Sequence, residues 1–241
     1  WESIQTRLFR VEAKGLSLQQ YQQAGGVFIN EVKNIIIIFF AAKSVLDGSM
    51  TLGMMLDALR NISRQDRALR AGAWAKRLGG LLAVRSVGLI GYGAIGRRVG
   101  ELCAAFGAEV LYADPVATDG PAERCELPDL LRRADIVSVH ASGAARLLGP
   151  AELELCKPGV ILVNTARGGM IDETALTRAL DEGRVACACL DVFEDEPYTG
   201  PLKDRDDTVL TPHVGSYARE AREAMERKAV ANLLDDLEGT R

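Results

Sequence analysis

Residues 87–100 read VGLIGYGAIGRRVG. A short apolar run ending at Ile90 leads straight into Gly91-Tyr92-Gly93-Ala94-Ile95-Gly96, and an amphipathic segment follows. A second apolar run, EVLYAD, closes on Asp114, 18 residues beyond Gly96. A strand, a glycine-rich turn, a helix and a second strand ending in a carboxylate make the pattern of a dinucleotide-binding βαβ unit. Gly91 is expected to permit the tight turn, Gly93 to let the backbone approach a pyrophosphate, and Gly96 to let the helix pack closely on the strand. The unpaired amides at the helix start, carried by residues such as Ala94 and Ile95, offer donors and partial positive charge to phosphate. Asp114 stands where a carboxylate accepts from ribose hydroxyls and repels a 2′-phosphate, which favours NAD over NADP. In a chain with 24 glycines the glycine pattern alone is a weak signal. The flanking strand, helix and acid lift it above chance.

Working outward, the chain after Val87 alternates short apolar strands with helical patterns. Strands are expected at Val87–Ile90, Glu109–Ala113, Ile136–His140, Val160–Asn164, Val185–Val192 and Thr208–Thr211. Helices are expected near Ala94–Phe106, Pro128–Ala134, Pro150–Cys156 and Asp172–Glu182, with Asp172 as N-cap and Gly183 as the stop of the last. Such alternation implies an α/β fold, a doubly wound parallel sheet of Rossmann type covered on both faces. A final helix follows Ser216, with Ala218, Ala221, Met225, Ala229, Leu233 and Leu234 recurring at helical spacing. Upstream, Val45, Leu46, Leu52, Met55, Leu56, Leu59 and Ile62 form another helical stripe, and a charged segment, Arg64–Arg70, continues towards Trp74. Residues 1–42 carry only hints: helix at Leu18–Ala24, strand at Val27–Asn30, and the run IIIIFFAA at Ile35–Ala42. Eight apolar residues are too few for a membrane-spanning helix, so a core strand or buried segment is expected there.

Composition narrows the function class. The 241 residues are 48% hydrophobic and 26% charged, with 29 basic and 33 acidic side chains giving a formal charge of −4. No basic block and few aromatics argue against nucleic-acid or anionic-membrane partners. The five cysteines, Cys103, Cys125, Cys156, Cys187 and Cys189, lie mostly in apolar runs without metal-ligand spacing. Reduced thiols of a cytoplasmic protein are expected, and no metal site. No signal-peptide pattern is present, and the chain begins at Trp1 rather than Met, as a fragment or processed chain would.

Three segments fall at the carboxyl ends of late strands, where open α/β sheets gather ligands. They are NTARGG (Asn164–Gly169), LDVFEDEP (Leu190–Pro197) and TPHVGS (Thr211–Ser216). In this order, and with VGLIGYGAIG upstream, they resemble the NAD-dependent D-2-hydroxyacid dehydrogenases, the family that includes D-3-phosphoglycerate dehydrogenase. The resemblance runs from about Ala58 to Gly239. It implies that Arg167 anchors substrate, its planar fork holding a carboxylate and the neighbouring C2 oxygen. It implies that His213 is the acid–base group, because a proton must leave the hydroxyl as hydride departs. Glu196, immediately before Pro197, would orient His213 and favour its protonated form, although Glu194 and Asp195 are close neighbours. By the same resemblance Asp191 faces the nicotinamide, and Thr165, Ala166 and Gly215 line the cofactor together with Tyr92. His140 is read as cofactor-side lining.

The resemblance also implies a domain plan: residues 1–43 a remnant of a flavodoxin-like substrate domain, 44–215 the NAD-binding domain with a dimerisation helix and arm, and 216–241 a helix returning towards the substrate domain. Two departures stand out. The glycine-rich loop expected near residues 5–15 reads RLFRVEAKGLS, and the expected Asn-x-Pro-Gly turn is displaced by Asn30-Glu-Val-Lys-Asn34. The loop after His140, ASGAARLLG, is short and lacks the common Pro-Leu-Thr. The function implied is hydride transfer between NAD(H) and a 2-hydroxy/2-oxo acid, 3-phosphoglycerate among the options, by a homodimer. The alternative is a non-catalytic NAD(H)-binding sensor or scaffold. An enzyme acting on an amino acid would need another constellation, and none stands out.

Overall fold

A computed structural model describes residues 48–143 and 145–220, together with 223, 226, 227 and 230. The chain divides into two units, Val45–Ala218 and a second made of Trp1–Ser44 with Arg219–Arg241. The expected segments at Leu18–Ala24, Val27–Asn30 and Ile35–Ala42, and most of the final helical stripe, lie outside the described residues.

The first unit is a seven-stranded sheet in which every neighbouring pair is parallel. In chain order its elements are α1 (Ser49–Arg60), α2 (Ile62–Arg70), β1 (Ser86–Ile90), α3 (Ala94–Ala105), β2 (Glu109–Ala113), β3 (Glu123–Arg124) and α4 (Leu127–Arg133). There follow β4 (Ile136–Val139), α5 (Pro150–Leu155), β5 (Val160–Asn164), α6 (Glu173–Asp181), β6 (Val185–Leu190) and β7 (Thr208–Leu210). The spatial order is β3-β2-β1-β4-β5-β6-β7, so the winding reverses between β1 and β4. That reversal opens a crevice at the strands' carboxyl ends.

Alternation along the strands feeds two cores. Val137, Val139 and Leu162 point to one face, where Leu130, Leu153 and Leu176 of α4, α5 and α6 cover them. Ile136, Ile161 and Val163 point to the other, against Met55 of α1 and Val99 and Cys103 of α3. Strands buried on both faces explain why the sequence shows continuous apolar runs there rather than alternation. The dipeptide β3 is short, polar and exposed, and its sequence carries no strand signal.

Three strands end one or two residues earlier than expected, at Val139, Leu190 and Leu210. His140, Asp191 and Thr211 therefore begin loops rather than end strands. The upstream helical stripe is also interrupted. Asn61 adopts a left-handed conformation (φ 54°) that ends α1 and begins α2. Asparagine tolerates this conformation better than most non-glycine residues. At α6 the expected cap is present, Asp172 accepting from the Ala175 N–H at 2.9 Å.

Candidate active site

β1 delivers the chain into Gly91, whose φ of 95° is in the left-handed region. A Cβ there would lie 2.6 Å from the Ala141 nitrogen, and one at Gly96 would lie 2.2 Å from the Gly91 carbonyl oxygen. Both glycines are thus required by the close approach of α3, β1 and the loop after β4. Gly93 differs: a Cβ there would meet nothing within 4 Å. Gly93 and Ala94 are exposed and Ile95 half-buried, so the first turn of α3 presents its amides to an open face.

Asp114 closes this cradle. One carboxylate oxygen accepts from the Tyr92 N–H at 2.7 Å; the other accepts from Val116 and Ala117 at 2.8 and 2.7 Å. Burial alone would raise its pKa, but these three N–H donors outweigh it and hold the carboxylate below its usual range. Three bonds leave capacity for a further donor on a group with about four lone-pair sites. The open Gly93 face and the ionised Asp114 fit the diphosphate and ribose of NAD. Tyr92, expected to line the cofactor, reaches the cradle through its backbone N–H. Its ring is buried, stacked on Tyr112 at 3.9 Å between centroids, with the Arg97 guanidinium 5.0 Å from its centre. Its amide is the part that reaches the loop.

Across the crevice, His140 follows β4 and shares a 2.9 Å hydrogen bond between Nε2 and the Ser138 hydroxyl. Burial pushes its pKa down to about 4, so the ring is neutral at neutral pH. After β5, buried Asn164 clamps the next loop: its Oδ1 accepts from the Ala166 N–H at 3.0 Å and its Nδ2 donates to the Arg167 carbonyl at 2.9 Å. The Thr165 hydroxyl pairs with that of Thr51 on α1 at 2.9 Å. Arg167 itself is exposed, donating to the Ala166 carbonyl at 2.7 Å rather than to Glu196 or His213.

The other two segments meet directly. Glu196 Oε2 lies 2.9 Å from His213 Nδ1, and its Oε1 accepts from the Phe193 N–H at 3.1 Å. Burial works against the charge on Glu196, yet the bonds from His213 and Phe193 together hold it below the usual carboxylate range. Glu194 is engaged elsewhere, 3.1 Å from Arg146, which separates it from the role of Glu196. An ionised carboxylate only accepts, so His213 Nδ1 carries the proton in this pair and Nε2 is the ring nitrogen left free of it. Both side chains line a cavity of about 630 Å³ whose walls include Phe193, Pro197, Tyr198 and Leu210.

His213 takes a left-handed backbone (φ 53°), unusual for a non-glycine residue. Asp191 holds that turn. Its Oδ1 accepts from the Thr211 hydroxyl at 2.6 Å and the Val214 N–H at 2.8 Å, and its Oδ2 from the Gly215 N–H at 2.8 Å. Buried at 1% exposure, Asp191 is spent largely on the 211–215 loop. That differs from the expectation that it faces the nicotinamide.

The profile of the D-isomer specific 2-hydroxyacid dehydrogenase NAD-binding domain matches residues 52–215. The chain belongs to this family. It is 37% identical to D-3-phosphoglycerate dehydrogenase of Methanocaldococcus jannaschii over 76% of this chain and 37% of that one. Glyoxylate reductase of Aeropyrum pernix is 38% identical, over 78% of this chain and 62% of the relative. Among solved structures, D-lactate dehydrogenase from Aquifex aeolicus, complexed with NAD and lactic acid, superposes with a TM-score of 0.73. The identity is 27%, over 83% of this chain and 68% of that one. The chain thus spans between about a third and two thirds of the length of these two curated relatives.

As a family member the chain carries an NAD-binding domain. Among the described residues no helix is long and apolar enough to cross a membrane. Sequence reasoning did not single out Asn164 or Gly168. A Cβ at Gly168 would sit 1.6 Å from the Phe193 carbonyl oxygen, so this glycine lets the Arg167 loop pack directly on the segment leading to Glu196. An asparagine closing a strand before T-A-R-G-G was the available signal, because its amide readily bonds nearby backbone.

Proposed function

We propose that this protein transfers hydride between NAD(H) and a D-2-hydroxy acid/2-oxo acid pair. The observation that carries the reading is the His213–Glu196 pair, 2.9 Å apart at a cavity, with Nδ1 committed to the carboxylate. That leaves Nε2 to take the hydroxyl proton during oxidation and to return it to the carbonyl oxygen during reduction. NAD held in the cradle would supply the acceptor for the hydride of C2, and NADH the donor in the reverse direction. Arg167, exposed on a loop that Asn164 and Gly168 fix in place, supplies a bidentate donor for the substrate carboxylate and C2 oxygen. Gly93, Ala94 and Ile95 with Asp114 hold the cofactor's phosphates and ribose, while neutral His140, Thr165, Ala166 and Gly215 surround the rest of its path and Asp191 holds the 211–215 loop in place. Asp114 favours NAD over NADP, since a 2′-phosphate would meet an ionised carboxylate. Glyoxylate, hydroxypyruvate and 3-phosphohydroxypyruvate are the first substrates to try, given the relatives' names.

We further infer a homodimer. Residues 73–81 form neither helix nor strand, yet Trp74, Leu78 and Leu81 stand exposed on this arm. A second copy is the occupant that the family resemblance assigns to it.

The test is NADH oxidation by the full chain with a panel of 2-oxo acids, with the chirality of the product determined. Turnover yielding the D-2-hydroxy acid is expected. Tight NADH binding with no turnover on any acid would refute the reading and leave the sensor or scaffold alternative, which no feature of the site favours.

A further inference from the structure

At the opposite end of the sheet from the nucleotide cradle lies a second cavity, of about 330 Å³. It sits where the amino-terminal ends of β4, β5 and β6 converge beneath α1, and its polar walls come from Arg64, Arg85, Lys157, Asp135 and Asn61. Two of the cations there lack a hydrogen-bond partner at Nε among the described residues. Asp135, the one carboxylate in its wall, is already engaged: it accepts from Lys157 at 3.0 Å and from the Ser86 N–H at 2.9 Å. Arg64 and Arg85 remain. The Nε atoms of both are buried with no hydrogen-bond partner among the described residues. On the far side of Arg64, Asp207 feels its charge but hydrogen-bonds Arg205 at 2.8 Å, and Asp57 accepts from the Ser63 N–H at 2.7 Å.

A buried guanidinium N–H without a partner is rare and calls for a group that accepts from it. Two such groups facing one concave space, with a lysine beside them, match an acceptor that is small, anionic and rich in oxygens. We propose that this cavity binds a small phosphate-type oxyanion between Arg64 and Arg85, at a site separate from the nucleotide cradle. The strands between the two ends are about five residues long, so the sites are about 17 Å apart at least. The anion's charge would be met by the two guanidinium groups, with Lys157 shared between it and Asp135.

Inorganic phosphate is the probe, titrated into the full chain against chloride at matched ionic strength, with thermal melting and calorimetry as readouts. Saturating NADH is present in one arm, because phosphate also fits the first turn of α3. A saturable rise in Tm that persists with NADH is expected. The Arg64→Gln/Arg85→Gln variant should bind phosphate at least tenfold more weakly while keeping its NADH affinity. Should that variant not fold, Arg64→Gln alone, at a half-buried helical position, should weaken phosphate several-fold. Arg85→Lys, which retains charge, should weaken it less than Arg85→Gln. A response no larger than that of chloride, one abolished by NADH, or one unchanged in the glutamine variants overturns the proposal. Phosphate that splits the chain into smaller species in light scattering also overturns it, because the cavity would then hold an acidic side chain of a second copy.

Discussion

At the scale of single residues, the site rests on which nitrogen of an imidazole is left free. The Glu196–His213 contact fixes Nδ1 as the donor, so the exposed Nε2 is the position at which a proton can move. His213→Ala should therefore lower turnover by on the order of 10²- to 10⁴-fold while NADH binds nearly as before. Steady-state kinetics beside a fluorescence titration would check this, and unaltered turnover would remove His213 from the chemistry. His140 makes a different prediction, about stability. Its folded pKa of about 4 lies below the ordinary value of 6.5, because the buried ring resists charge. Between those pH values the unfolded chain holds a proton that the folded chain does not, so stability rises with pH across that window. The contribution is complete above pH 6.5 and disappears as pH falls through 4, amounting to about 3 kcal/mol at most. His140→Gln cannot take up that proton. Denaturant titrations at pH 7 and pH 5 should show a smaller loss for the variant than for the parent chain, and equal losses would contradict the assignment.

At the scale of elements, the site depends on loops that begin where strands stop. The alternation of apolar runs with helical spacing made the parallel sheet legible, and the acid after the second strand was legible for the same reason. Strand ends were less so. Asp191 and Thr211 belong by composition to apolar β runs, and their N–H groups still bond to the neighbouring strands at 3.0 Å, but their side chains bond to each other at 2.6 Å where the strands end. Local pattern cannot reveal a contact between residues 20 apart in sequence. The same limit hid Gly168, whose constraint comes from Phe193 on another strand's loop. Gly168→Ala tests that clamp. An added methyl 1.6 Å from a carbonyl oxygen must push the two loops apart. Displacing Arg167 from the substrate by even an ångström should cost about 10²-fold in kcat/KM. Overpacking should also destabilise the fold by about 1–3 kcal/mol. The Gly91–Gly96 turn and Asp114 lie on other loops, so NADH affinity should fall less than kcat/KM, by whatever Thr165 and Ala166 contribute. Unchanged kcat/KM for the oxo acid would show that the loops do not need this contact.

At the scale of the whole molecule, the folded NAD-binding domain leaves an apolar arm unsatisfied. Charge patterning made α2 readable only as a polar segment, and it is a helix with no fully buried residue. No periodicity marks residues 73–81 after it, and only the family resemblance points to an arm there. Their ends are anchored: the Ala73 N–H donates to the Ala68 carbonyl and the Gly80 N–H to the Leu59 carbonyl, at 2.9 and 2.8 Å. Between these anchors Trp74 is 82% exposed and Leu78 fully so. Burying such side chains is worth about 1.5–3 kcal/mol each, and in a two-fold dimer each contact is made twice. The wild-type chain should therefore scatter light as twice its 26.0 kDa mass at micromolar concentration. Trp74→Glu with Leu78→Glu places charge in the interface and should give the single-chain mass, with NADH binding retained because the cradle lies elsewhere. A wild-type chain that is monomeric at tens of micromolar would refute the dimer, and a variant that stays dimeric would place the subunit contact on some other face.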